Sequence, residues 1–294
     1  MKKIFNIILC NILVGLLILS ILEIGLFLNY KKNHPEIIYE IKEVKYNNVL
    51  EYYNPRPFQG TKYKKQPLII GGCSFAFGQG LKNEETFDYR LSHITKRPVY
   101  NIALPGKGLQ HNLYYVQNML KDKNIQNPEY FIYVIMSDQI RRLYTPVCLH
   151  DFTGFPEYKL NKKNKLELKN DTYPFYKQLY VYYFFNNLYY SYVGYKNLEQ
   201  HSKLVKEYLR EMKEAIKEQY PKIKFVVLFY GDYDKYFNLS LDELEKEDFI
   251  FIHTQDISEI NVFAEGYHLA PNDFHPSAKT WEILTPAFAN ELKL

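Results

Sequence analysis

Three side chains that together perform acyl chemistry, a serine, a histidine and an aspartate, stand at well-marked turns of this chain. Ser74 lies in the stretch Pro67 to Leu81, PLIIGGCSFAFGQGL, where the apolar run Leu68 to Ile70 ends in Gly71 and Gly72, with Gly78 and Gly80 soon behind. That pattern predicts a buried strand that stops abruptly and turns through backbone conformations glycine adopts at low cost. The hydroxyl then sits at the C-terminal end of the strand, where open α/β sheets place their chemistry. Taken alone, such a turn also suits a phosphate or a simple change of direction. Far along the chain stands Asn272-Asp273-Phe274-His275-Pro276-Ser277, followed by a helical pattern. An aspartate two residues before a histidine can hold the imidazole in one tautomer, and the imidazole can then deprotonate a serine that the fold brings to it. The alternative for this stretch by itself is a turn-capping Asp273 beside a surface His275.

These residues resemble the SGNH (GDSL-type) hydrolase family, in a bacterial membrane-anchored branch whose first block reads Gly-Cys-Ser. Gly72-Cys73-Ser74 with Gly78 looks like the first block, Asn101-Ile102-Ala103-Leu104-Pro105-Gly106-Lys107-Gly108 like the second, and Asp273-Phe274-His275-Pro276 like the last. The blocks lie in the family's order and bracket the chain from about Pro67 to its end. The resemblance implies Ser74 as nucleophile, His275 as base and Asp273 as its orienting partner. It also implies an oxyanion hole built from the backbone N–H groups of Ser74 and Gly106.

The family's third block usually adds an Asn side chain as a further donor after the central strand. Here the matching stretch reads Ile135-Met136-Ser137-Asp138-Gln139. Ser137 offers a hydroxyl in its place, whereas an ionised Asp138 would repel an oxyanion. Losing one donor of this kind costs on the order of 10²–10³ in rate, which slows an esterase without abolishing it. Asn101 is expected to order its own loop. Cys73 is a rival nucleophile, disfavoured because a residue beside the nucleophile points away from the bond its neighbour attacks. A Cys73–Cys148 disulfide is disfavoured too, since with Cys10 in an apolar run the cysteines make no framework; both are expected to be reduced and buried. There is no HExxH, no CxxC pair and no acidic cluster beside Asp273, His275 and His268, so neither metal nor cofactor is expected. His268, His253 and His111 read as ordinary surface or satisfied histidines.

The start of the chain supplies a different signal. Lys2 and Lys3 precede an uncharged run from Ile4 to Leu22, with an apolar tail past Glu23 to Leu28. About nineteen residues at 1.5 Å each are just enough to cross a bilayer, and the run is too long for the apolar core of a usual cleaved leader. Residues 1–30 are therefore expected to be a transmembrane anchor. Lys31 and Lys32 nearly balance Lys2 and Lys3 under the positive-inside rule, so the orientation rests on the long polar remainder: N-terminus cytoplasmic, domain extracytoplasmic. Residues 31–66, marked by Pro35, Pro55 and Pro57, read as a linker that adds an edge strand at most.

From Pro67 the chain alternates strands and helices. Strands are expected at Leu68 to Gly71, Pro98 to Ala103, Tyr130 to Met136, Lys224 to Phe229 and Asp248 to Ile252. Helices are expected after Asn83 as cap, over Leu109 to Leu120, from Ser202 to Pro221, and from Ser277, with Pro286 kinking or ending the last one. Asp151 to Asn170 reads as a Lys-rich surface loop. The tyrosine- and phenylalanine-dense stretch Thr172 to Tyr195 reads as a helix packed over the sheet, with a sugar-stacking or lipid-touching surface as the alternative. Residues 67–294 thus form one flavodoxin-like three-layer α/β/α domain with about five parallel strands, carrying an insert at 151–200.

A formal charge of +4 with 47% hydrophobic residues suits a globular protein, and the scattered lysines accompany no nucleic-acid motif. What the resemblance implies is a membrane-anchored serine esterase acting on acyl groups, acetyl foremost, of a cell-surface glycan. An O-acyltransferase sharing the same acyl-enzyme is the near alternative. A non-catalytic glycan-binding or scaffolding protein that keeps the fold is the distant one.

Overall fold

The computed structural model describes residues 14–15, 17–26, 28, 42–46, 49–53, 58–118, 120, 125–143, 156–163, 165–170, 179–193, 198–231 and 242–294. The described part of the N-terminal run is helical at 14–15, 17–26 and 28. A hairpin of β1 (Lys42–Tyr46) and β2 (Val49–Tyr53) follows. β3 (Leu68–Gly72) leads into a single helical turn, α1 (Ser74–Phe77), and a 3-10 turn (Asn83–Glu85) into α2 (Phe87–Thr95). Then come β4 (Val99–Asn101), α3 (Leu109–Asn118), β5 (Tyr130–Ile135) and α4 (Asp138–Arg141). The hairpin β6 (Glu157–Leu160) and β7 (Leu166–Asn170) precedes α5 (Tyr180–Val193) and α6 (Leu198–Gln219). The chain closes with β8 (Lys224–Phe229), α7 (Asp242–Glu245), β9 (Phe249–His253), α8 (Thr254–Ile257), a short hairpin of β10 (His268–Ala270) and β11 (Asp273–Pro276), and α9 (Ala278–Glu291).

The core is a five-stranded sheet in the order β4-β3-β5-β8-β9, parallel throughout. Every residue of β3 and of β5 is buried, as parallel strands covered on both faces must be. One apolar cluster lies under α3 and α6, where Leu113, Val116, Val205, Leu209 and Met212 meet Phe131, Tyr133 and Phe225. The other lies under α2 and α9, where Phe87, Leu91, Trp281 and Phe288 meet Leu68, Ile70 and Ile132. The Trp281 ring stacks on Phe87 at 4.8 Å, locking α9 to α2. The order in which strands are added reverses between β3 and β5, and the C-terminal ends of strands at such a switch point are where open α/β sheets place their sites.

The structure differs from the sequence expectations in several places. Asn83 opens the 3-10 turn, and Thr86 is the residue that caps α2, accepting from Tyr89 N. The described part of the expected loop 151–170 is the β6–β7 hairpin, turned by Asn161, whose side chain accepts from the backbone N–H groups of Lys163 and Lys165 at 2.8 and 3.1 Å. α6 begins at Leu198, before Ser202. Pro286 does not end α9, which runs on to Glu291. The 31–66 segment contributes its own two-stranded sheet, and Gln59 bridges to Val99 of β4 at the sheet edge. On α5, Phe184, Phe185, Leu188 and Tyr189 form a face that is exposed. Among the described residues no helix is long and apolar enough to cross a membrane. The expected anchor begins in residues 1–13, outside the described ones.

Candidate active site

β3 ends at Gly72 with φ 142°, an angle that side-chain-bearing residues rarely adopt. A Cβ there would lie 2.7 Å from the Val134 carbonyl oxygen and 2.9 Å from the Ala76 Cβ, so neighbouring strand and turn together exclude a side chain. The chain then turns Cys73 into the core, fully buried, and starts α1 with Ser74. Gly78, left-handed at φ 75°, closes the turn by donating to Ser74 O and Phe75 O at 3.1 Å each. Ser74 is thereby fixed at the C-terminal end of β3, 3% exposed, where the strand order reverses.

The histidine arrives on a strand, β11. Alternate residues of a strand share a face, so Asp273 and His275 on β11 point together while Phe274 points outward and is exposed. His275 Nε2 lies 2.8 Å from Ser74 Oγ. On the other side of the ring, Nδ1 lies 2.5 Å from Asp273 Oδ1, and the same oxygen accepts from the His275 backbone N at 3.1 Å. An ionised carboxylate only accepts, so Nδ1 carries the ring proton and Nε2 is left to accept from the serine hydroxyl. Phe75, the residue after Ser74, sets its ring 5.0 Å from the imidazole and backs it. The hairpin is tied to the core helix through Ser277, whose N donates to Tyr267 O at 3.0 Å and whose side chain caps α9.

The second sequence block lies against the end of β3. Ile102 N donates to Ile70 O at 2.8 Å and Leu104 N to Gly72 O at 2.9 Å, extending the ladder beyond β4. Asn101 holds this loop as expected, accepting from Ala103 N at 3.0 Å, and it also donates to Ala76 O at 2.8 Å in the Ser74 turn. Asn112 on α3 provides a second clasp: its Oδ1 accepts from Gly72 N at 3.2 Å and its Nδ2 donates to Gly108 O at 2.9 Å. Gly106, at φ 74°, occupies the apex of the loop these bonds hold in place.

Ser137 stands half-buried just beyond β5, on the strand next to β3, and is not hydrogen-bonded to the triad side chains. The concern raised by Asp138 is answered by its partner. Arg142 Nε donates to Asp138 Oδ2 at 2.8 Å, so the charge expected to oppose an oxyanion is paired. Arg142 is 5% exposed, it also donates from Nη1 to Lys107 O at 3.1 Å, and its guanidinium lies beside the Cys73 sulfur. Burial works against its charge, but Cys73 and Asp138 beside it outweigh that and raise its pKa. Neither Arg142 nor Asn112 was singled out from sequence. The one available signal was the four-residue spacing of Asp138 and Arg142, suited to a helical ion pair.

Cys73 faces the core among Ile70, Ala76 and Val134, turned away from His275, so the rival nucleophile is not part of this arrangement. Cys10 and Cys148 lie outside the described residues. His253 stacks on Phe229 at 4.7 Å, and His268 Nδ1 lies 2.7 Å from Ala270 O. His111 is buried, with Nδ1 accepting from Gly108 N at 3.3 Å. Burial pushes its pKa well down, and Lys107 and Arg142 push it further.

No family model matches this chain, and no curated protein matches it. Solved structures do. TesA aligns at 12% identity over 78% of this chain and 98% of that one, with a TM-score of 0.48. A putative lipolytic protein of the G-D-S-L family from Desulfitobacterium hafniense DCB-2 aligns at 12% identity over 77% of this chain and 99% of that one, with a TM-score of 0.45. An acetyl xylan esterase, Est2A, from the rumen bacterium Butyrivibrio proteoclasticus aligns at 11% identity over 79% of this chain and 64% of that one, with a TM-score of 0.45. The solved structures to which this chain is similar thus include a G-D-S-L lipolytic protein and a carbohydrate esterase.

Proposed function

We propose that this protein is an SGNH-type serine ester hydrolase that removes acyl groups, acetyl foremost, from a cell-surface glycan. The observation that carries this reading is the arrangement of Ser74 Oγ 2.8 Å from His275 Nε2 with Asp273 2.5 Å from the opposite ring nitrogen. His275 takes the hydroxyl proton as Ser74 Oγ attacks the ester carbonyl, and Asp273 stabilises the imidazolium that forms. The backbone N–H groups of Ser74 and Gly106 receive the oxyanion. Collapse of that intermediate expels the sugar alcohol, which takes the proton from His275, and water then releases the acyl group by the same steps in reverse order. A sugar hydroxyl in place of that water would make the same site an O-acyltransferase. The non-catalytic reading finds no support in a site where serine, base and orienting carboxylate are all within hydrogen-bond reach.

The membrane anchor belongs to this proposal. Leu17, Ile18 and Ile21 of the N-terminal helix are exposed, as are Phe184 and Phe185 of α5, and apolar surface of this kind suits contact with lipid. Glu23 joins the two helices, its carboxylate accepting from Val181 N at 2.8 Å. Recovery of the full chain with membranes, and loss of that partition on replacing Ile18 and Ile21 by Asp, tests the anchor; a chain that stays in the supernatant from the outset refutes it.

The chemical test is release of acetate from p-nitrophenyl acetate by the full chain and by its Ser74→Ala variant. Release that disappears with Ser74, together with labelling of Ser74 by a fluorophosphonate, is expected. Labelling absent from Ser74 would overturn the hydrolase reading.

A further inference from the structure

The site lacks the third-block amide, yet one buried side chain touches all three segments that must be held in register around the reacting centre. Arg142 Nε donates to Asp138 in the third-block stretch, its Nη1 donates to the carbonyl of Lys107 beside Gly106, and its guanidinium also reaches the sulfur of Cys73, the residue before Ser74. The end of the second block and the start of α3 also meet it. Gln110 Nε2 donates to Arg142 O at 2.5 Å, and a Cβ added at Gly108 would lie 3.0 Å from the Arg142 Cβ. A planar guanidinium presents several donors in a fixed fork, so it can set the distances between three acceptors in a way that the flexible ammonium of a lysine cannot. Arg142 is too deeply buried to meet substrate.

We propose that Arg142 is the positioning residue of this site, tying the Ser74 turn, the Gly106 loop and the Asp138 turn together so that the backbone N–H groups of Ser74 and Gly106 stay aimed at one point. This rests on the hydrolase reading. The amide missing from the third block would act by adding a donor to the oxyanion; Arg142 acts by preventing the two remaining donors from drifting apart. Preorganised donors are effective only when they meet the oxyanion without rearrangement, and a misplacement of about 1 Å costs on the order of 10²-fold in rate.

The test uses the full chain in detergent micelles, with p-nitrophenyl acetate as substrate and a fluorophosphonate as label. Arg142→Met keeps the aliphatic stem and removes every donor. It is expected to lower kcat by about 10–100-fold with KM changed by less than about threefold, while labelling of Ser74, though slower, still runs to completion. Complete labelling counts correctly folded sites, so it separates mispositioning from unfolding. In the double variant Arg142→Met, Asp138→Asn the loss is expected to persist, because the tether to Lys107 O is still absent. Recovery to the unmodified rate would mean that Arg142 only neutralises Asp138 and would overturn the proposal. Should the Met variant label incompletely, Arg142→Lys keeps charge and stem while serving fewer acceptors, and a kcat loss of about 3–10-fold is expected. Unchanged kcat in a fully labelled variant overturns this inference alone, whereas absence of Ser74 labelling in the unmodified chain overturns the hydrolase reading and this inference with it.

Discussion

Replacing Asp273 by Asn tests how the triad fixes its tautomer, and the geometry here gives an unusual answer. A single oxygen, Asp273 Oδ1, accepts both from the His275 ring at 2.5 Å and from the His275 backbone N at 3.1 Å. The backbone N–H can only donate, so an asparagine must place its carbonyl oxygen at that point and its amide nitrogen elsewhere. The ring then keeps its proton on Nδ1, and Nε2 stays available to Ser74. What is lost is only the difference between a charged and a neutral acceptor for the imidazolium. Hydrogen bonds to charged groups contribute about 1.5–3 kcal/mol and neutral ones about 0.5–1.5 kcal/mol, so the difference of about 1–1.5 kcal/mol predicts roughly a tenfold fall in kcat/KM. Asp273→Ala removes the orienting group altogether and is expected to cost on the order of 10³–10⁴. The assay is p-nitrophenyl acetate hydrolysis by the three proteins at one pH, with fluorophosphonate labelling to count sites. An asparagine variant as slow as the alanine variant would refute the reasoning, since it would mean that the amide turns round and forces the ring into the wrong tautomer.

Two further substitutions probe the frame around the triad. Gly72→Ala puts a Cβ 2.7 Å from the Val134 carbonyl oxygen at φ 142°, so strain and overpacking together should destabilise the fold by about 2–4 kcal/mol in urea unfolding; a loss below about 0.5 kcal/mol would refute the crowding. His111, whose pKa lies well below its ordinary 6.5 in the folded chain because of burial, Lys107 and Arg142, binds its proton more readily when unfolded. Stability should therefore fall as pH drops below about 6.5, by up to about 1.4 kcal/mol per pH unit from this group, and His111→Gln should flatten that slope between pH 6.5 and 5; parallel profiles would refute the assignment.

Much of this was legible in the chain because short-range pattern carries it. An apolar run ending in paired glycines marked β3 and the Ser74 turn, and the two-residue spacing of Asp273 and His275 put both on one face once that segment became a strand. The β6–β7 hairpin stands where a surface loop was expected: Tyr158 and Leu160, then Leu166 and Leu168, alternate with polar residues, but two such short alternations in a lysine-rich stretch are a weak strand signal. For α5 the pattern left the partner open: Phe184, Phe185, Leu188 and Tyr189 form an apolar face that is exposed, and an apolar face by itself does not say whether protein or something else covers it. Pro286 does not end α9, because the burial of Trp281, Leu284 and Phe288 on the same helix outweighs the local cost of a proline, about 3 kcal/mol.

Asn112 and Arg142 belong to a different class, because what they do depends on partners far away in sequence. Asn112 reaches Gly72 across forty positions and Arg142 reaches Lys107 across thirty-five, and neither residue type at its own position suggests such a bond. The consequence is clearest at Asp138. Considered alone, an aspartate in place of a donor amide opposes a developing negative charge. With Arg142 paired to it at 2.8 Å, the same aspartate becomes the anchor of a buried cation that also holds the Lys107 carbonyl beside Gly106. The sign of its effect on catalysis is thus set by a side chain four residues later, and breaking a buried pair by removing one partner exposes the charge that the other had cancelled. That is why Asp138→Ala should also harm the site, by leaving Arg142 buried with one fewer acceptor, even though the substitution removes the very charge that seemed unfavourable.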